Sequence, residues 1–358
     1  MTKKRILFVT FNGIVDAPFG GAKVSIRNYE SLNKVAEVFP YQIQKHSNIK
    51  STISLIQGYL PPILNSDIDK IKNIIKREEV DFIFYDSSLM GEIQKEINLP
   101  NVIFCHNCEK DYFEVRFGKE NSLKKSIYKS HILDNEMEAV KRANCICALT
   151  ERDSQSLFGY YNRCPDVIIP LSIKDYFNEL KKDEYKCSSS CLLFGPAGMA
   201  NNEAFTWFIK NVSPYLNCHT VIAGKGMETL KPNGSDKVEV IGFVESPQDL
   251  YASVDCVAIP LLSGGGMKVK TAEALMYGKY VFGTDEAFIG YDSLFNDEKA
   301  GKLCNSADDF IREINAFMSK GHKSFNYASR KEYLNHYSIK ATQHLFDQVI
   351  AKMEDVEV

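Results

Sequence analysis

The chain has 358 residues, longer than a single hydrophobic core usually grows, and this length favours two domains. Hydrophobic residues make up 44% and charged residues 25%, as in a globular protein rather than a disordered or fibrous one. The formal net charge of -3 excludes a strong overall field for nucleic acid, so we expect no nucleic-acid partner.

The first residues are basic and then apolar, but the apolar run at residues 5–10 is too short for a secretion signal and fits a buried strand better. Ten cysteines without such a signal indicate reduced thiols and a cytoplasmic protein. Cys105 and Cys108, with Cys145 and Cys147 downstream, leave a zinc site open as an alternative. Their positions within apolar runs favour buried thiols instead.

Short apolar runs alternate with segments of helical period, which is typical of parallel sheets covered by helices. The predicted strands are 5–10, 81–85, 101–105, 145–149 and 167–169 in the first half, and 191–194, 219–223, 238–241, 256–259 and 280–283 in the second. We place a linker at the charged, then serine-rich segment 174–190 and divide the chain into domains 1–172 and 173–358. From Ala307 onward the pattern is helical, and the closing helix could pack on either domain.

The most informative stretch follows the predicted strand 256–259. Three successive glycines, Gly264, Gly265 and Gly266, precede a helical pattern that begins near Met267 and ends before Gly278. Glycines leave backbone N–H groups unshielded, and the N-terminus of the next helix is positive, so this pattern is typical of a phosphate site.

Two lysines, Lys268 and Lys270, stand in the predicted first turn of that helix, where the helix dipole disfavours cations. A bound anion would remove this conflict. In the alternative interpretation both lysines are solvated, and Lys270 pairs weakly with Glu273 three residues further on. We interpret the stretch as a phosphate site.

The same stretch resembles the donor site of group 1 glycosyltransferases, the large retaining family with the GT-B fold. Upstream, Gly242-Phe243-Val244 is similar to the family's loop before an Asp-containing strand, and downstream residues 278–284 are similar to its Gly-x-Pro-Val-Val-x-Thr strand. The resemblance implies an α/β protein of two Rossmann-like domains facing each other across a cleft. The first domain would lie on the acceptor side and the second on the nucleotide-sugar side.

The resemblance also implies roles for single residues, including fainter matches in the first half. Its catalytic set is His106, facing the reacting sugar, Lys270 at the diphosphate, and Glu273 at the ribose hydroxyls. Its donor-binding set is Gly20, Gly21, Phe243, Val244, Gly264, Gly265, Gly266, Met267, Lys268, Lys270 and Glu273. A bland alternative for His106 is a hydrogen-bonded core residue, and for Gly20 and Gly21 a turn before a helix.

Two departures from the family pattern change how the site is interpreted. The family commonly has two glutamates separated by seven residues, but the position paired with Glu273 is Gly265, so the carboxylate that usually holds the sugar hydroxyls is missing. The Arg and Lys that follow the family's first donor-domain strand are also missing, since residues 195–202 contain no cation. More of the positive charge at the diphosphate is therefore expected from Lys268 and Lys270.

The implied function is transfer of a sugar, with retention, from a nucleotide-diphosphate donor such as a UDP- or GDP-sugar to a glycan or lipid-linked acceptor in surface polysaccharide assembly. Fixed cations and backbone amides can stabilise the leaving group, so we expect a hexosyltransferase that uses no cofactor and no metal. A sugar-nucleotide epimerase of the same fold and a non-catalytic GT-B partner subunit remain alternatives. An oxidoreductase is disfavoured, because no Gly-x-Gly-x-x-Gly follows the first strand.

A last expectation concerns residues 112–132 and the amphipathic helix predicted over 121–143. Its apolar stripe is Leu123, Ile127, Met137 and Val140, and acidic residues follow at Asp134, Glu136 and Glu138. Aromatic residues and lysines concentrate in the first part, at Tyr112, Phe113, Phe117, Tyr128, Lys119, Lys124, Lys125 and Lys129. This composition favours weak contact with an anionic membrane, on its inner face, and the alternative is an ordinary solvated helix face.

Overall fold

A computed structural model of the chain contains two compact units. The first unit comprises Met1–Leu171 and Thr342–Val358, and the second comprises Ser172–Ala341. The structure describes residues 3–14, 20–43, 63–117, 123–230, 236–295, 298–321 and 323–356.

The first unit is built on a parallel sheet that has six strands among the described residues. The strands are β1 (Arg5–Thr10), β2 (Glu37–Gln42), β3 (Phe82–Tyr85), β4 (Asn101–Cys105), β5 (Cys145–Ala148) and β6 (Val167–Ile168). Their spatial order is β2-β1-β3-β4-β5-β6. Strands β3, β4 and β5 bury every side chain, which is why they are continuous apolar runs in the sequence.

Helices connect these strands. In the described part of the first unit they are α1 (Gly20–Val35), α2 (Asn65–Arg77), α3 (Gly91–Glu96), α4 (Glu109–Phe117), α5 (Leu123–Arg142) and α6 (Glu151–Tyr161). The side chain of Thr150 caps α6 by accepting a hydrogen bond from the N–H of Asp153. Asn162, in the left-handed conformation with φ of 54°, ends the same helix.

The second unit repeats this architecture. Its strands are β7 (Ser190–Phe194), β8 (His219–Ala223), β9 (Val238–Gly242), β10 (Cys256–Ile259), β11 (Tyr280–Gly283) and β12 (Gly301–Leu303), in the spatial order β12-β11-β10-β7-β8-β9. Its helices are α7 (Met199–Asn211), α8 (Pro247–Ala252), α9 (Val269–Met276), α10 (Ala307–Ser319) and α11 (Tyr327–Glu332). The last helix, α12 (Ile339–Glu354), belongs to the first unit from Thr342 onward.

The predicted α/β architecture with two parallel sheets is confirmed, and each of the ten predicted strands is present. Two further strands were not predicted. Strand β2 lies at the edge of its sheet, contains Pro40, and buries only some of its side chains, so it lacks a continuous apolar run. Strand β12 has only three residues, too few for a periodic signal.

Each sheet reverses its strand order at one place, and such a place leaves a crevice at the carboxyl ends of the strands. In the first unit the reversal lies between β1 and β3, and in the second it lies between β7 and β10. The loops that follow these four strands therefore define where a ligand is expected in each unit.

The segment proposed as a linker is packed within the second unit. Arg330 forms a bidentate ion pair with Asp175, at 2.9 and 2.6 Å, and also donates to the carbonyl oxygen of Met276 at 3.1 Å. Its guanidinium lies 4.8 Å from the ring centroid of Phe177. Arg330 thereby ties residues 174–190 to the C-terminal end of α9 and holds that helix in place.

The amphipathic helix predicted over 121–143 is present as α5, but its predicted apolar stripe is partly wrong. Met137 is 45% exposed, whereas Glu136 is fully buried. The reason is that the Glu136 carboxylate accepts hydrogen bonds from the first residues of α4, so this position turns inward. None of the helices in the described ranges is long and apolar enough to cross a membrane.

Only part of the basic and aromatic segment 112–132 can be placed. Phe113 is buried and packs with Ile132, so it is not a surface residue as the membrane hypothesis assumed. Lys129 forms an ion pair with Glu114. Lys119 and the side chains of Phe117, Leu123, Lys124, Lys125, Ile127 and Tyr128 lie outside the described residues.

The four cysteines considered for zinc are buried thiols, as their apolar surroundings predicted; they are Cys105, Cys108, Cys145 and Cys147. Burial raises the pKa of the Cys105 thiol well above its ordinary value, which disfavours the thiolate that zinc requires. Across the part of the chain that the structure describes, no group of three or more potential metal ligands assembles.

Candidate active site

In the second unit, the loops after β7, β8 and β9 are joined by backbone hydrogen bonds. The N–H of Gly195 donates to the carbonyl of Ala223 at 3.0 Å, and the N–H of Gly224 donates to that of Gly242 at 2.6 Å. A Cβ at Gly224, where φ is 149°, would lie 1.9 Å from the carbonyl oxygen of Gly195. Glycine is therefore required at this close approach.

The glycine loop after β10 is held by the lysine that follows it. Lys268 is the N-cap residue of α9, and its Nζ donates to the carbonyls of Gly266 at 2.8 Å and Gly265 at 3.3 Å. The same Nζ forms an ion pair with Oε1 of Glu286 at 2.7 Å. The ammonium thus folds back on the loop and fixes its shape. Contact of Lys268 with a diphosphate stays a prediction.

Lys270, at the second position of α9, reaches the loop after β7. Its Nζ donates to Oδ1 of Asn201 at 2.6 Å, and Nδ2 of Asn201 donates to the carbonyl of Pro196 at 2.7 Å. A Cβ at Gly195 would lie 3.1 Å from this Nζ. The β7 loop has no cation of its own, and α9 supplies one to it.

The environment of Lys270 also tunes its charge. The side chain is largely enclosed, and burial lowers its pKa from 10.5 to about 8, while the nearby Glu273 acts in the opposite direction. A dianionic phosphate beside this ammonium would restore the charged form. An anion bound beside Lys270 would therefore raise its pKa and favour the protonated ammonium form.

The remaining predicted donor residues of this unit follow β9 or β10. Phe243 is 66% exposed directly after β9, and Val244 beside it is half-buried. Met267 is buried against Gly290. The helix α9 begins at Val269, two residues after the predicted start near Met267. Glu273 is half-buried one turn along α9. These positions lie on loops and a helix at the carboxyl edge of the sheet.

In the first unit, His106 lies after β4 and faces a buried carboxylate. Its Nε2 is 3.2 Å from Oδ1 of Asp86, and the imidazole is 14% exposed. Asp86 follows β3 and accepts hydrogen bonds from Oγ1 of Thr10 at 3.1 Å and from Nδ2 of Asn28 at 2.7 Å. Because β1 and β3 flank the reversal of the strand order, this polar cluster occupies the expected crevice of the first unit.

A buried arginine adds a charge behind this cluster. Arg27 on α1 donates to the carbonyl of Pro170 at 2.9 Å, and its guanidinium lies 5.6 Å from the ring centroid of Phe104 and 5.4 Å from that of Phe346. Burial lowers the pKa of Arg27 to about 9, and the charge of Asp86 opposes this shift. The negative charge of Asp86 therefore stabilises the buried positive charge of Arg27.

Two further buried carboxylates hold the residues that follow His106. Glu136 accepts hydrogen bonds from the N–H of Glu109 at 2.8 Å and from the hydroxyl of Tyr161 at 2.8 Å. Asp153 accepts from the N–H of Cys108 at 3.1 Å. Burial raises the pKa of both carboxyls, while these hydrogen bonds lower it. The backbone just after His106 is thus held at Cys108 by Asp153 and at Glu109 by Glu136.

The two glycines proposed for the first unit begin α1. At Gly21, an added Cβ would have no heavy atom within 4 Å, so packing does not require glycine there. This leaves the functional interpretation of Gly20 and Gly21 as a prediction, with a helix start as their observed structural setting.

The residues of these clusters that were not predicted include Asp86, Glu136, Asn201 and Glu286. Asp86 had a usable signal, since it directly follows an apolar run just as Thr10 ends one. Glu286 follows the strand 280–283 in the same way. Asn201 and Glu136 gave none, because an amide or a carboxylate within a helical pattern is usually solvated.

The two α/β units, each built on a parallel sheet with one reversal of its strand order, are those of the GT-B fold. Residues 190–320 match the family described as Glycosyl transferases group 1. This match includes the stretch that carried the resemblance, so the similarity to group 1 glycosyltransferases is confirmed for that part of the second unit. No curated protein matches the chain.

Solved structures support the fold over the whole chain. Sucrose-phosphate synthase from Thermosynechococcus elongatus has a TM-score of 0.74 and 11% identity, with 98% of this chain and 99% of that chain covered. A glycosyltransferase from Rickettsia africae has a TM-score of 0.68 and 14% identity, covering 99% and 100%. Anabaena HepE in complex with UDP has a TM-score of 0.67 and 11% identity, covering 97% and 99%. At these identities the likeness concerns the fold.

Proposed function

We propose that the protein is a retaining glycosyltransferase that binds a nucleotide-diphosphate sugar at the carboxyl edge of the second unit. A UDP-sugar is the first choice, and a GDP-sugar the second. The sugar is a hexose, the acceptor is a glycan or a lipid-linked glycan, and the setting is surface polysaccharide assembly on the cytoplasmic side of a membrane. Anabaena HepE, which shares the fold, has been solved with UDP and with UDP-glucose, and this supports the choice of UDP.

The observation that carries this proposal is the position of Lys270. Its ammonium bridges α9 and the loop after β7, on either side of the reversal in the strand order. The backbone of Gly195 lies beside it, and the N-terminus of α9 adds positive potential. A cation, unshielded amides and a helix N-terminus at one point suit a diphosphate better than any other common metabolite group.

The chemistry follows from the charge that develops in transfer. As the glycosidic bond to the diphosphate breaks, negative charge grows on the leaving phosphate, and a fixed ammonium and backbone N–H groups stabilise it. This arrangement needs no metal ion. Glu273 would bind the ribose hydroxyls, Phe243 and Val244 would border the base, and His106, which lies beside Asp86, would face the transferred sugar. Attack on the face from which the leaving group departs would retain configuration.

A thermal-shift series across UDP, GDP, CMP and dTDP, each with and without an attached sugar, tests the donor class. One nucleoside diphosphate should raise the melting temperature, and Lys270→Ala should abolish that rise while Lys210→Ala, an exposed control on α7, should not. If no nucleotide stabilises the wild type, the donor-site proposal is wrong.

Product analysis separates the alternatives of the same fold. With the stabilising nucleotide sugar, a glycosyltransferase releases the nucleoside diphosphate and transfers or hydrolyses the sugar. An epimerase would instead change the configuration of the free or nucleotide-bound sugar, and a non-catalytic subunit would bind without turnover. Lys270→Ala and Glu273→Ala should each slow turnover while leaving the fold intact. The expected loss of transition-state stabilisation is about 2 to 4 kcal/mol for each variant.

For a lipid-linked acceptor we also propose weak contact between residues 112–132 and an anionic membrane. Val115 is 52% exposed, and Tyr112 is half-buried, whereas Phe113 is not available. Each lysine near an anionic surface adds about 1 kcal/mol, so binding should be lost in moderate salt. Co-sedimentation with phosphatidylserine vesicles tests this, with Lys124, Lys125 and Lys129 changed together to glutamate as the comparison. A wild type that stays in solution at low salt would point to a soluble acceptor.

A further inference from the structure

The glycine loop contains no acidic residue, but a carboxylate from another segment of the second unit packs against it. Glu286 lies in the turn after β11, and its Oε1 is 2.7 Å from Nζ of Lys268, with both side chains mostly buried at 15% and 10% exposure. A Cβ placed at Gly264 would lie 3.2 Å from the same Oε1. The carboxylate therefore packs directly on the loop, one residue from Gly265.

The turn that carries Glu286 is firmly attached to this loop and to α9. Oγ1 of Thr284 donates to the carbonyl of Leu261, before the glycines. Oγ1 of Thr271, in α9, donates to the carbonyl of Ala287 at 2.8 Å. Glu286 thus sits between two anchored residues, and its position is set by the fold rather than by a mobile side chain.

The order of the strands shows which part of a donor this carboxylate would meet. Along the sheet, β11 carries Glu286, β10 carries the glycine loop, β7 carries the loop that Lys270 reaches, and β9 carries the exposed Phe243. Neighbouring strands are about 4.8 Å apart, so these features are spread along one edge in that sequence. A nucleotide sugar has the matching sequence of groups: sugar, diphosphate, then nucleoside.

Charge selects the same assignment. A carboxylate beside a phosphate would be repelled, whereas hydroxyl groups donate to it readily. Within one ligand, the diphosphate therefore goes to Lys270 and the hydroxyl-rich hexose goes to Glu286. A carboxylate can accept hydrogen bonds from more than one donor, so contact with Lys268 and contact with sugar hydroxyls are compatible.

Resting on the function proposed above, we infer that Glu286 accepts hydrogen bonds from hydroxyl groups of the donor hexose. It does so in place of the carboxylate that the sequence lacks at Gly265. The residue determines sugar recognition, because a site built to bind a hydroxyl discriminates strongly against a sugar that lacks it.

Calorimetric titration with UDP and UDP-glucose, and with GDP and GDP-mannose, tests this inference. Glu286→Gln should weaken binding of the sugar-bearing ligand about tenfold or more, and change the affinity for the bare diphosphate less than about twofold. Glu298→Gln serves as the matched control, since Glu298 also pairs with a lysine, Lys302, at 2.6 Å but on the surface. Its affinities should equal those of the wild type.

Deoxy donors distinguish hydroxyl binding by Glu286 from a purely structural role of this residue. Wild type should bind the 3-deoxy or 4-deoxy analogue of the preferred donor about tenfold more weakly, and Glu286→Gln should bind that analogue and the parent sugar alike. Gly265→Glu, placed in the Glu286→Gln background, should restore part of the lost affinity. If the amide variant is unstable, Glu286→Asp, which keeps the charge beside Lys268, must show the same loss confined to the sugar.

The outcomes are distinct. If wild type binds a diphosphate and its sugar but Glu286→Gln changes both affinities equally, or neither, Glu286 is a brace for the glycine loop and the inference is overturned while the proposed function stands. If wild type binds none of the four ligands, the proposed function itself fails.

Discussion

Nε2 of His106 lies 3.2 Å from Oδ1 of Asp86, a carboxylate that is fully buried at the reversal of the first sheet. Thr10 and Asn28 donate to the same carboxylate, so its own orientation is fixed. The imidazole therefore lies beside a carboxylate whose own position is fixed, at a contact distance but without a hydrogen bond of good geometry.

We predict that Asp86→Asn lowers kcat about a hundredfold, because the imidazole loses the fixed charge beside it and a small misplacement of a reacting group has an effect of this size. The change also removes the charge that supports buried Arg27, so the free energy of unfolding should fall by about 3 kcal/mol. Steady-state kinetics and urea unfolding measure the two effects. Asp81→Asn, just before the opposite end of β3, is the control, and an equal loss of kcat there would refute a special role for Asp86.

His106→Ala should lower kcat while leaving the affinity for UDP within about twofold, since the residue belongs to the first unit and the proposed nucleotide site to the second. Turnover and calorimetric binding separate these quantities. His219→Ala changes an exposed histidine at the start of β8 and should behave as wild type. Parallel losses of stability, affinity and turnover would mark His106 as a structural residue.

Donor affinity should fall as pH rises through about 8, because Lys270, with its pKa lowered to about 8, then loses the charge that binds the diphosphate. Above that pH the affinity for UDP should drop by up to about tenfold per pH unit. Lys270→Ala should bind weakly and show no such dependence between pH 7 and 9, whereas Lys210→Ala should retain it. Calorimetry at fixed ionic strength provides the measurement, and a flat wild-type profile would contradict the assignment.

Stability should rise with pH above 7 through another lysine. Lys279 is fully buried, its Nζ donates to the carbonyls of Val254 and Ser324, and burial lowers its pKa from 10.5 to about 7. Between those two values the unfolded chain binds more protons than the folded one, so the free energy of unfolding increases with pH, by at most about 1.4 kcal/mol per unit.

Urea unfolding at pH 7.0, 7.5, 8.0 and 8.5 checks this slope. Lys279→Met should reduce it, since methionine has similar length and no proton to release. Lys210→Met, an exposed control, should preserve it. A wild type and a Lys279→Met variant with the same pH dependence would show that Lys279 stays charged in the folded state.

The sequence predicted the strands well because parallel strands buried on both faces are continuous apolar runs, as in β4 and β10. It failed where burial is partial or the element is very short, as in β2 and β12. The face of α5 was misjudged at Glu136, because a buried carboxylate that caps another helix cannot be distinguished from a solvated one by periodicity.

The sequence predicted those residues of the candidate site that lie close together in the chain, and it missed those that come from distant segments. The glycine loop and Lys270 lie within one continuous stretch, so spacing alone indicated them. Glu286 and Asn201 reach the same place from other strands, and only the order β11-β10-β7 brings them there. Asp86 and His106 directly follow the neighbouring strands β3 and β4, a pairing that no single segment of sequence encodes.

The first unit is interrupted in the chain, because its last part resumes at Thr342 after the whole second unit. Phe346 from that part lies against the guanidinium of Arg27, and Gln343 donates to the carbonyl of Ser31 at 3.0 Å. During translation, residues 172–341 leave the ribosome as one uninterrupted block, while residues 1–171 still lack these partners. The proposed donor-binding half can therefore mature first, and the half that carries His106 becomes complete only after residues 342–358 have also been synthesised.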